Sequence, residues 1–226
     1  METLFITDCS IEDALKLHGD DISNANLVVF GFNGMGLVSY KKELSGETDY
    51  FRDLAILSKQ IKGVVISGCD TDSYGSFRHS AAIADCGKLL GVSDMVHLEE
   101  GSEFVPGAAF RVYDTSIGKI GIIIEDDLYF PEVVRVLSLC DADFIVCILK
   151  KIEDFMPQIM LRASAYSNGV SMSLCAKNYA CVANANGKIS ALTKTGLLKT
   201  EVAKDKDYHL VSLRKRGMYK EFNSGY

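Results

Sequence analysis

The amino-acid sequence predicts an α/β fold in which helices and sheets form layers around one core. Short apolar runs rich in β-branched residues alternate with longer segments whose apolar residues recur at helical spacing. The runs are apolar at nearly every position, which is typical of strands buried on both faces. The chain has 226 residues, is 48% hydrophobic and contains no internal repeat or Pro/Ser-rich linker. A chain of this size can bury a sizeable core, so we expect a single domain over residues 1–226.

The predicted strands are short segments dominated by Val, Ile, Leu or Phe and bounded by polar or turn-forming residues. Six of them precede the last third of the chain, and three lie within it. In chain order they cover residues 4–6, 27–30, 64–67, 80–84, 120–124, 144–149, 170–175, 188–193 and 209–213.

The predicted helices have apolar residues three or four positions apart, so that one face of each can pack on a sheet. They cover residues 50–62, 131–139 and 157–168. Pro131 and Pro157 each open one of these segments. In the first turn of a helix the missing proline N–H would have had no helical partner, so both prolines mark helix starts.

Charge and apolar patterning exclude two classes of partner. The formal net charge is −6, which weakens attraction to a phosphate backbone, so no nucleic acid is expected as a partner. The short basic cluster Arg214-Lys215-Arg216 is interpreted as a solvated face or tail. No apolar run approaches the roughly 20 residues that cross a bilayer, so no membrane partner is expected either.

The seven cysteines indicate a reducing compartment. They form no CxxC pair, and Cys147 and Cys175 lie inside apolar runs. Buried reduced thiols fit this pattern better than a disulfide framework. Cys181, in a short loop, is the cysteine that we expect to be exposed. The N-terminal residues lack the basic and apolar regions of a signal peptide, so we expect a cytoplasmic protein.

A strand, a tight turn and a helix follow one another in the most informative segment. The apolar run 120–124 ends at Glu125-Asp126-Asp127, and Phe130-Pro131-Glu132 opens a helix. This arrangement exposes a nucleophile at the end of a sheet in many hydrolases. The turn in this chain has no cysteine or serine to act as that nucleophile.

The same segment resembles the nitrilase superfamily of carbon–nitrogen hydrolases. The family pattern PG…F…T…G.IG..ICYD..FPE is matched without a gap over residues 106–132, with Asp127 at the family's aspartate. Residues 77–90 resemble the family's yNSa.vid.dGkll hairpin, and residues 162–168 resemble its RA.A.EN helix. In this order the resemblance covers roughly residues 4–187. It implies a four-layer α-β-β-α sandwich that assembles into a homodimer or a larger homo-oligomer.

The resemblance also locates the three residues that catalyse the family's reaction, and this chain differs at each. Glu125 corresponds to the nucleophilic cysteine, and Met95 corresponds to the lysine that stabilises the tetrahedral intermediate. Phe32 stands where the general-base glutamate is expected, and no glutamate occurs between Glu12 and Glu43. Because triad members act as a unit, losing all three leaves only binding and positioning. No catalytic residue is therefore predicted.

A pocket is expected to remain at the former active site, formed by Phe32, Met95, Glu125, Asp126 and Lys150. Two roles for Glu125 stay open. Burial would raise its pKa and make it a relocated catalytic acid. The favoured alternative is an ion pair with Lys150, which ends the neighbouring strand, since structural ion pairs also perturb pKa values.

No cofactor and no metal ion are predicted. Glu125, Asp126 and Asp127 are consecutive acids that cannot all face one cation. The glycine-rich segment 31–36 has the spacing G-x-x-G-x-G, which is not the dinucleotide fingerprint, so it is interpreted as a turn.

Two functions follow from these observations. The first is a catalytically inactive homologue (a pseudoenzyme) that binds a small amide- or carboxylate-like ligand or a protein partner. The alternative is an amidase-like carbon–nitrogen hydrolase whose chemistry is rebuilt around Glu125. A short loop between Asn178 and residues 184–187 implies a shallower pocket than is usual for the family.

Overall fold

A computed structural model describes residues 1–204 of the chain. Its first sheet has seven strands. These are β1 (Glu2–Ile6), β2 (Leu27–Phe30), β3 (Leu37–Ser39), β4 (Val64–Ser73), β5 (Ser76–Asp85), β6 (Lys88–Asp94) and β13 (Leu197–Glu201). The order is β13-β1-β2-β4-β5-β6, with β3 paired to β4. Strands β1, β2 and β4 are parallel, whereas β13, β5 and β6 pair antiparallel with their neighbours.

The second sheet has six strands in the order β12-β11-β10-β9-β8-β7. They are β7 (Val112–Thr115), β8 (Gly118–Ile124), β9 (Phe144–Ile148), β10 (Ser171–Ala176), β11 (Tyr179–Ala183) and β12 (Ile189–Thr193). Strands β8, β9 and β10 are parallel and central, so their carboxyl ends lie at one edge of the sheet.

Helices cover the outer face of each sheet. They are α1 (Ile11–Asn24), α2 (Tyr40–Ser45), α3 (Tyr50–Ile61), α4 (Pro131–Leu139) and α5 (Met156–Asn168). Buried residues of α1 and α3 join one apolar cluster with the first sheet. Those of α4 and α5 join another with the second sheet. Within residues 1–204, no helix is long and apolar enough to cross a bilayer.

A third apolar cluster lies between the two sheets. Phe5, Val29 and Ile66 from the first sheet belong to it, together with Ile122 and Val146 from the second. Successive residues of a strand point to opposite faces, and each central strand is covered on both faces. The unbroken apolar runs in the sequence therefore have a physical cause. The predicted α/β class and the four-layer α-β-β-α sandwich are confirmed.

The predicted helices are all present as α3, α4 and α5, and Pro131 and Pro157 lie in the first turns of α4 and α5. The predicted strands as far as residue 193 are also present, while the predicted strand 209–213 lies outside the described residues. The prediction omits α1 and several short strands. Helix α1 buries only Ile11, Ala14 and Ile22, so its apolar periodicity is weak. The omitted strands are β3, β6, β7, β11 and β13.

The glycine-rich segment after β2 is a tight turn, as the sequence predicts. The Gly34 amide donates to the Gly31 carbonyl at 3.0 Å. A Cβ atom at Gly34 would lie 2.3 Å from Ser67 Oγ and 2.6 Å from Phe30 Cβ. Only glycine lets this turn pack so closely on β2 and β4. The turn also places Phe32 against the core between the sheets.

We predict that Gly34→Ala destabilises the fold by about 1 to 3 kcal/mol, because the added methyl group has no space and forces the turn away from β4. Gly19→Ala is the matched control, since a Cβ at that position in α1 meets nothing within 4 Å. Alanine there should be neutral or stabilising by up to about 1 kcal/mol. Chemical denaturation of both variants measures the difference, and equal stabilities would contradict the proposed role of the turn.

Candidate functional site

The chain turns sharply where β8 ends. Glu125 has a φ of +50°, in the left-handed region that residues other than glycine seldom adopt. A 3-10 turn, Glu125–Tyr129, follows directly and leads into α4. This is the strand–turn–helix geometry predicted from the sequence. Strained backbone of this kind concentrates at functional sites in proteins.

The Asp127 carboxylate fixes the other side of this turn. The residue is buried, and its two oxygens accept from the backbone amides of Val96 and His97, each at 2.9 Å. His97 Nδ1 also lies 2.7 Å from Asp127 Oδ1. The His97 ring stacks on Phe130, with the ring centroids 3.8 Å apart. Asp127 thus ties the end of β8 to the segment after β6. His97 belongs to this link through its contacts with Asp127 and Phe130.

A cavity of about 500 Å³ lies beside this turn. Four of the five predicted pocket residues line it, and the fifth, Phe32, lies against one of them. The cavity is lined by His79, Met95, Leu98, Glu99, Glu100, Gly101, Ser102, Phe104, Glu125, Asp126 and Lys150.

Glu125 is held at the cavity by a backbone contact. Its Oε1 accepts from the backbone amide of Lys150, which follows the neighbouring strand β9. Burial raises the pKa of the Glu125 carboxyl to about 7, although the hydrogen bond from the Lys150 amide and the charge of the Lys150 side chain both oppose the rise. Glu125 therefore exchanges a proton near neutral pH.

The Lys150 ammonium does not form the predicted ion pair with Glu125. Its Nζ lies 2.7 Å from Asp70 Oδ2, so the prediction is wrong about the partner. The same Nζ lies 5.2 Å from the centroid of the Phe32 ring and 5.3 Å from that of Phe104. A lysine can reach any carboxylate within the length of its side chain. Here the Asp70 carboxylate of β4 and the rings of Phe32 and Phe104 stabilise the ammonium.

Asp70 and His79 are functional candidates that the sequence-based prediction omits. His79 Nδ1 lies 2.7 Å from Asp70 Oδ1, and the His79 ring stacks on Phe104 with centroids 3.7 Å apart. Burial acts to raise the pKa of the Asp70 carboxyl, but hydrogen bonds from His79 and Lys150 hold it below its ordinary value. Asp70 and His79 are register partners across β4 and β5. A signal was present, because a hairpin turn at Tyr74-Gly75 places them opposite each other.

Phe32 and Met95 are almost fully buried and belong to the cluster between the sheets. The Phe32 ring also meets His79 nearly edge-on, at 6.1 Å and 83°. Their packing is therefore that of core side chains. The two positions to which the resemblance assigns a general base and a cation thus carry apolar side chains: Met95 lines the cavity, and Phe32 lies against Lys150 of its wall.

The three acids of the turn point to different surroundings. Glu125 faces the Lys150 amide, Asp127 faces the backbone after β6, and Asp126 is exposed at the cavity. Within the described part of the chain, no group of three His, Cys, Asp or Glu side chains could hold a metal ion.

Cys181 is fully buried in β11, so the prediction that it is exposed is wrong. An apolar residue of a buried strand was interpreted as part of a loop.

Comparison with protein families identifies the scaffold. The family model described as carbon–nitrogen hydrolase matches residues 21–209. The chain belongs to the carbon–nitrogen hydrolase family. The predicted membership of the nitrilase superfamily is therefore confirmed.

Curated relatives in the family match part of the chain. A probable nitrilase of Schizosaccharomyces pombe is 30% identical over 126 residues, which cover 53% of this chain and 46% of the relative. A nitrilase of Pyrococcus abyssi is 29% identical over 118 residues, covering 51% of this chain and 44% of the relative. The matches thus span less than half the length of these relatives.

Solved structures of carbon–nitrogen hydrolases match over nearly the whole chain. The enzyme from Helicobacter pylori G27 superimposes with a TM-score of 0.78 at 18% identity, covering 100% of this chain and 98% of its own. The NitN amidase of Neterenkonia sp. AN1 superimposes with a TM-score of 0.76 at 19% identity, covering 96% and 98%. At such identities the likeness shows the fold.

We predict that Glu125→Gln becomes more stable relative to the natural chain as the pH rises. Because folding raises the Glu125 pKa from 4.5 to about 7, ionising this group opposes folding. The free-energy cost of ionising Glu125 is absent below the pKa of the unfolded chain and is complete above the pKa of the folded chain. Glutamine stays neutral and keeps an oxygen for the Lys150 amide. The relative gain between about pH 5 and about pH 8 should be on the order of 2 to 3 kcal/mol.

The measurement is chemical denaturation at both pH values. Glu132→Gln, at an exposed position of α4, is the matched control and should show no pH-dependent difference. A flat profile for Glu125→Gln would mean that Glu125 is ionised in the folded chain at low pH.

Proposed function

We propose that this carbon–nitrogen hydrolase family member does not hydrolyse carbon–nitrogen bonds and instead binds a small ligand in the cavity beside Glu125. The observation that carries the proposal is the identity of three side chains, of which Met95 and Glu125 line the cavity and Phe32 lies against Lys150 of its wall. Phe32, Met95 and Glu125 lie together where the resemblance assigns the base, the cation and the nucleophile of the family. None of the three can perform the assigned step.

Each replacement has a distinct chemical consequence. Phe32 has no group that accepts a proton, so it cannot activate a nucleophile or water. Met95 has no positive charge to stabilise an oxyanion, and losing one such donor typically lowers the rate by roughly 10²–10³. Glu125 is a weak acyl acceptor in comparison with a thiolate. A solved mutant of the amidase from Nesterenkonia sp. AN1, by contrast, shows the result of Michael addition of acrylamide at its active-site cysteine.

The cavity retains the properties of a binding site. Its volume of about 500 Å³ falls in the range of small-molecule sites, about 300 to 1,000 Å³. The side chains that line it combine an aromatic ring, Phe104, with charged groups on several sides. Lys150 and His79 are both held in place by Asp70, which supports a preorganised site for a ligand rather than for a protein partner.

The alternative function, a hydrolase rebuilt around Glu125, is favoured by one observation. A carboxyl with a pKa of about 7 can donate and accept protons at neutral pH. Against it, Glu125 Oε1 is already bound by the Lys150 amide, and the cavity wall beside it is apolar at Phe32 and Met95. An assay of turnover separates the two functions.

We predict no turnover when the purified chain is incubated with a panel of amides, nitriles and N-carbamoyl compounds. Ammonia release should equal that of Glu125→Gln, with an active amidase of the family as the positive control. At least one small molecule carrying an amide, carboxylate or amine group should raise the unfolding temperature by several degrees when present well above its dissociation constant. Turnover that Glu125→Gln abolishes would establish the rebuilt hydrolase instead.

We also propose that two copies of the chain associate through the outer face of α4 and α5. Large apolar side chains are exposed along this face, and the two helices pack side by side. The exposed apolar side chains are Val136 and Leu139 of α4, and Met156, Ile159 and Tyr166 of α5. A second copy of the same face would bury them in a symmetric contact.

The dimer proposal predicts that Val136→Asp and Ile159→Asp shift the chain towards a monomer, because a charge buried in an apolar contact has no partner. Analytical ultracentrifugation gives the mass. Leu17→Asp, at an exposed apolar position of α1, is the control and should leave the mass unchanged. A natural chain that sediments as a monomer at all concentrations would contradict the proposal.

A cytoplasmic location completes the proposal. All seven cysteines are free, and this supports a reducing compartment.

A further inference from the structure

The cavity beside Glu125 has an excess of carboxylates. Glu99, Glu100, Glu125 and Asp126 line it, whereas Lys150 and His79 are the basic groups in its wall. The sign of the charge that a ligand meets depends on how much of each charge is already neutralised by neighbours. The two kinds of group differ sharply in this respect.

The basic groups are neutralised within the fold. Lys150 Nζ and His79 Nδ1 each lie 2.7 Å from one oxygen of the same Asp70 carboxylate. At this separation the field of the ammonium is largely offset by that of Asp70, so Lys150 adds little net positive charge to the cavity. Its remaining contacts, with Phe32 and Phe104, also stabilise it without a ligand.

The acidic groups of the rim are not neutralised in this way. Among residues 1–204, no ammonium, guanidinium or imidazole lies within ion-pair distance of Glu99, Glu100 or Asp126. Burial, followed by the charges of Glu99 and Asp127, raises the pKa of Asp126, as expected where carboxylates crowd one another. A negative field therefore remains inside the cavity, and it repels anions and attracts cations.

Apolar side chains line the same cavity beside these carboxylates. The Phe104 ring packs on His79, and Lys150 Nζ lies 5.3 Å from its centroid, so the ring offers a ligand an apolar contact rather than a free face for a charge. Together with Met95 and Leu98 it suits the alkyl part of an organic ammonium, whose charged end the carboxylates attract.

We propose that this cavity selects a small organic cation, such as a primary alkylamine, over a neutral amide or a carboxylate of the same size. The inference rests on the proposed function, since it names the ligand class for the same site. The ammonium lies among the carboxylates of Glu99, Glu125 and Asp126, and the alkyl group lies towards Phe104 and Met95.

Three ligands of nearly equal size test the selection: n-butylamine, butyramide and butyrate. Isothermal titration calorimetry at about pH 8 and low ionic strength should show binding of n-butylamine. Binding of butyramide should be at least about tenfold weaker, and butyrate should give no heat. Raising the salt concentration to about 0.5 M should weaken the binding of n-butylamine, because its main attraction is electrostatic.

Variants then identify the carboxylates that attract n-butylamine. Glu99→Gln with Asp126→Asn should weaken n-butylamine binding by about tenfold or more, whereas Glu103→Gln, an exposed residue of the same segment outside the cavity, should not. Circular dichroism and denaturation confirm that each variant is folded before its titration is interpreted.

The outcomes distinguish the inference from the proposed function. Stronger binding of butyramide or butyrate than of n-butylamine, or no binding of n-butylamine, would overturn the selection of a cation. Neither result involves catalysis, so the absence of turnover would still stand. Turnover of amides, by contrast, would overturn the proposed function whatever the order of the three affinities.

Discussion

The ion pair between Lys150 and Asp70 joins the two sheets at the edge where the cavity opens. Lys150 follows β9 of the second sheet, and Asp70 lies in β4 of the first, with 2.7 Å between the paired atoms. The Asp70 carboxylate also holds His79, which packs on Phe104. One carboxylate therefore sets the positions of two cavity residues, and its single negative charge offsets that of the Lys150 ammonium.

A second carboxylate, Asp127, joins the same two regions from the other side. It binds the backbone at Val96 and His97, and so fixes the segment after β6 against the turn after β8. Neither Asp127 nor Asp70 stands at a position that the resemblance assigns to the catalytic triad. The frame of the cavity thus depends on interactions that are independent of the triad, and it can persist while Phe32 and Met95 become core residues.

The sequence predicts the fold well because its pattern repeats in order along the chain, and because buried strands need apolar residues at every position. It predicts the turn at Glu125 because that segment is matched without a gap. It does not predict the partner of Lys150, since Asp70 lies far away along the chain and is brought close only when the sheets pack. The Asp70–His79 pair was within reach, because the turn at Tyr74-Gly75 sets the register of its hairpin.

Glu125 combines two unfavourable features at one residue. Its backbone lies in the left-handed region, where glycine would be less strained, and its carboxyl is buried enough that the pKa rises to about 7. A side chain that only filled the space at this position could be glutamine or an apolar residue without the second cost. Natural chains accept such costs mainly where a site uses them. A carboxylate whose charge contributes to a negative cavity gives Glu125 a use that filling space does not.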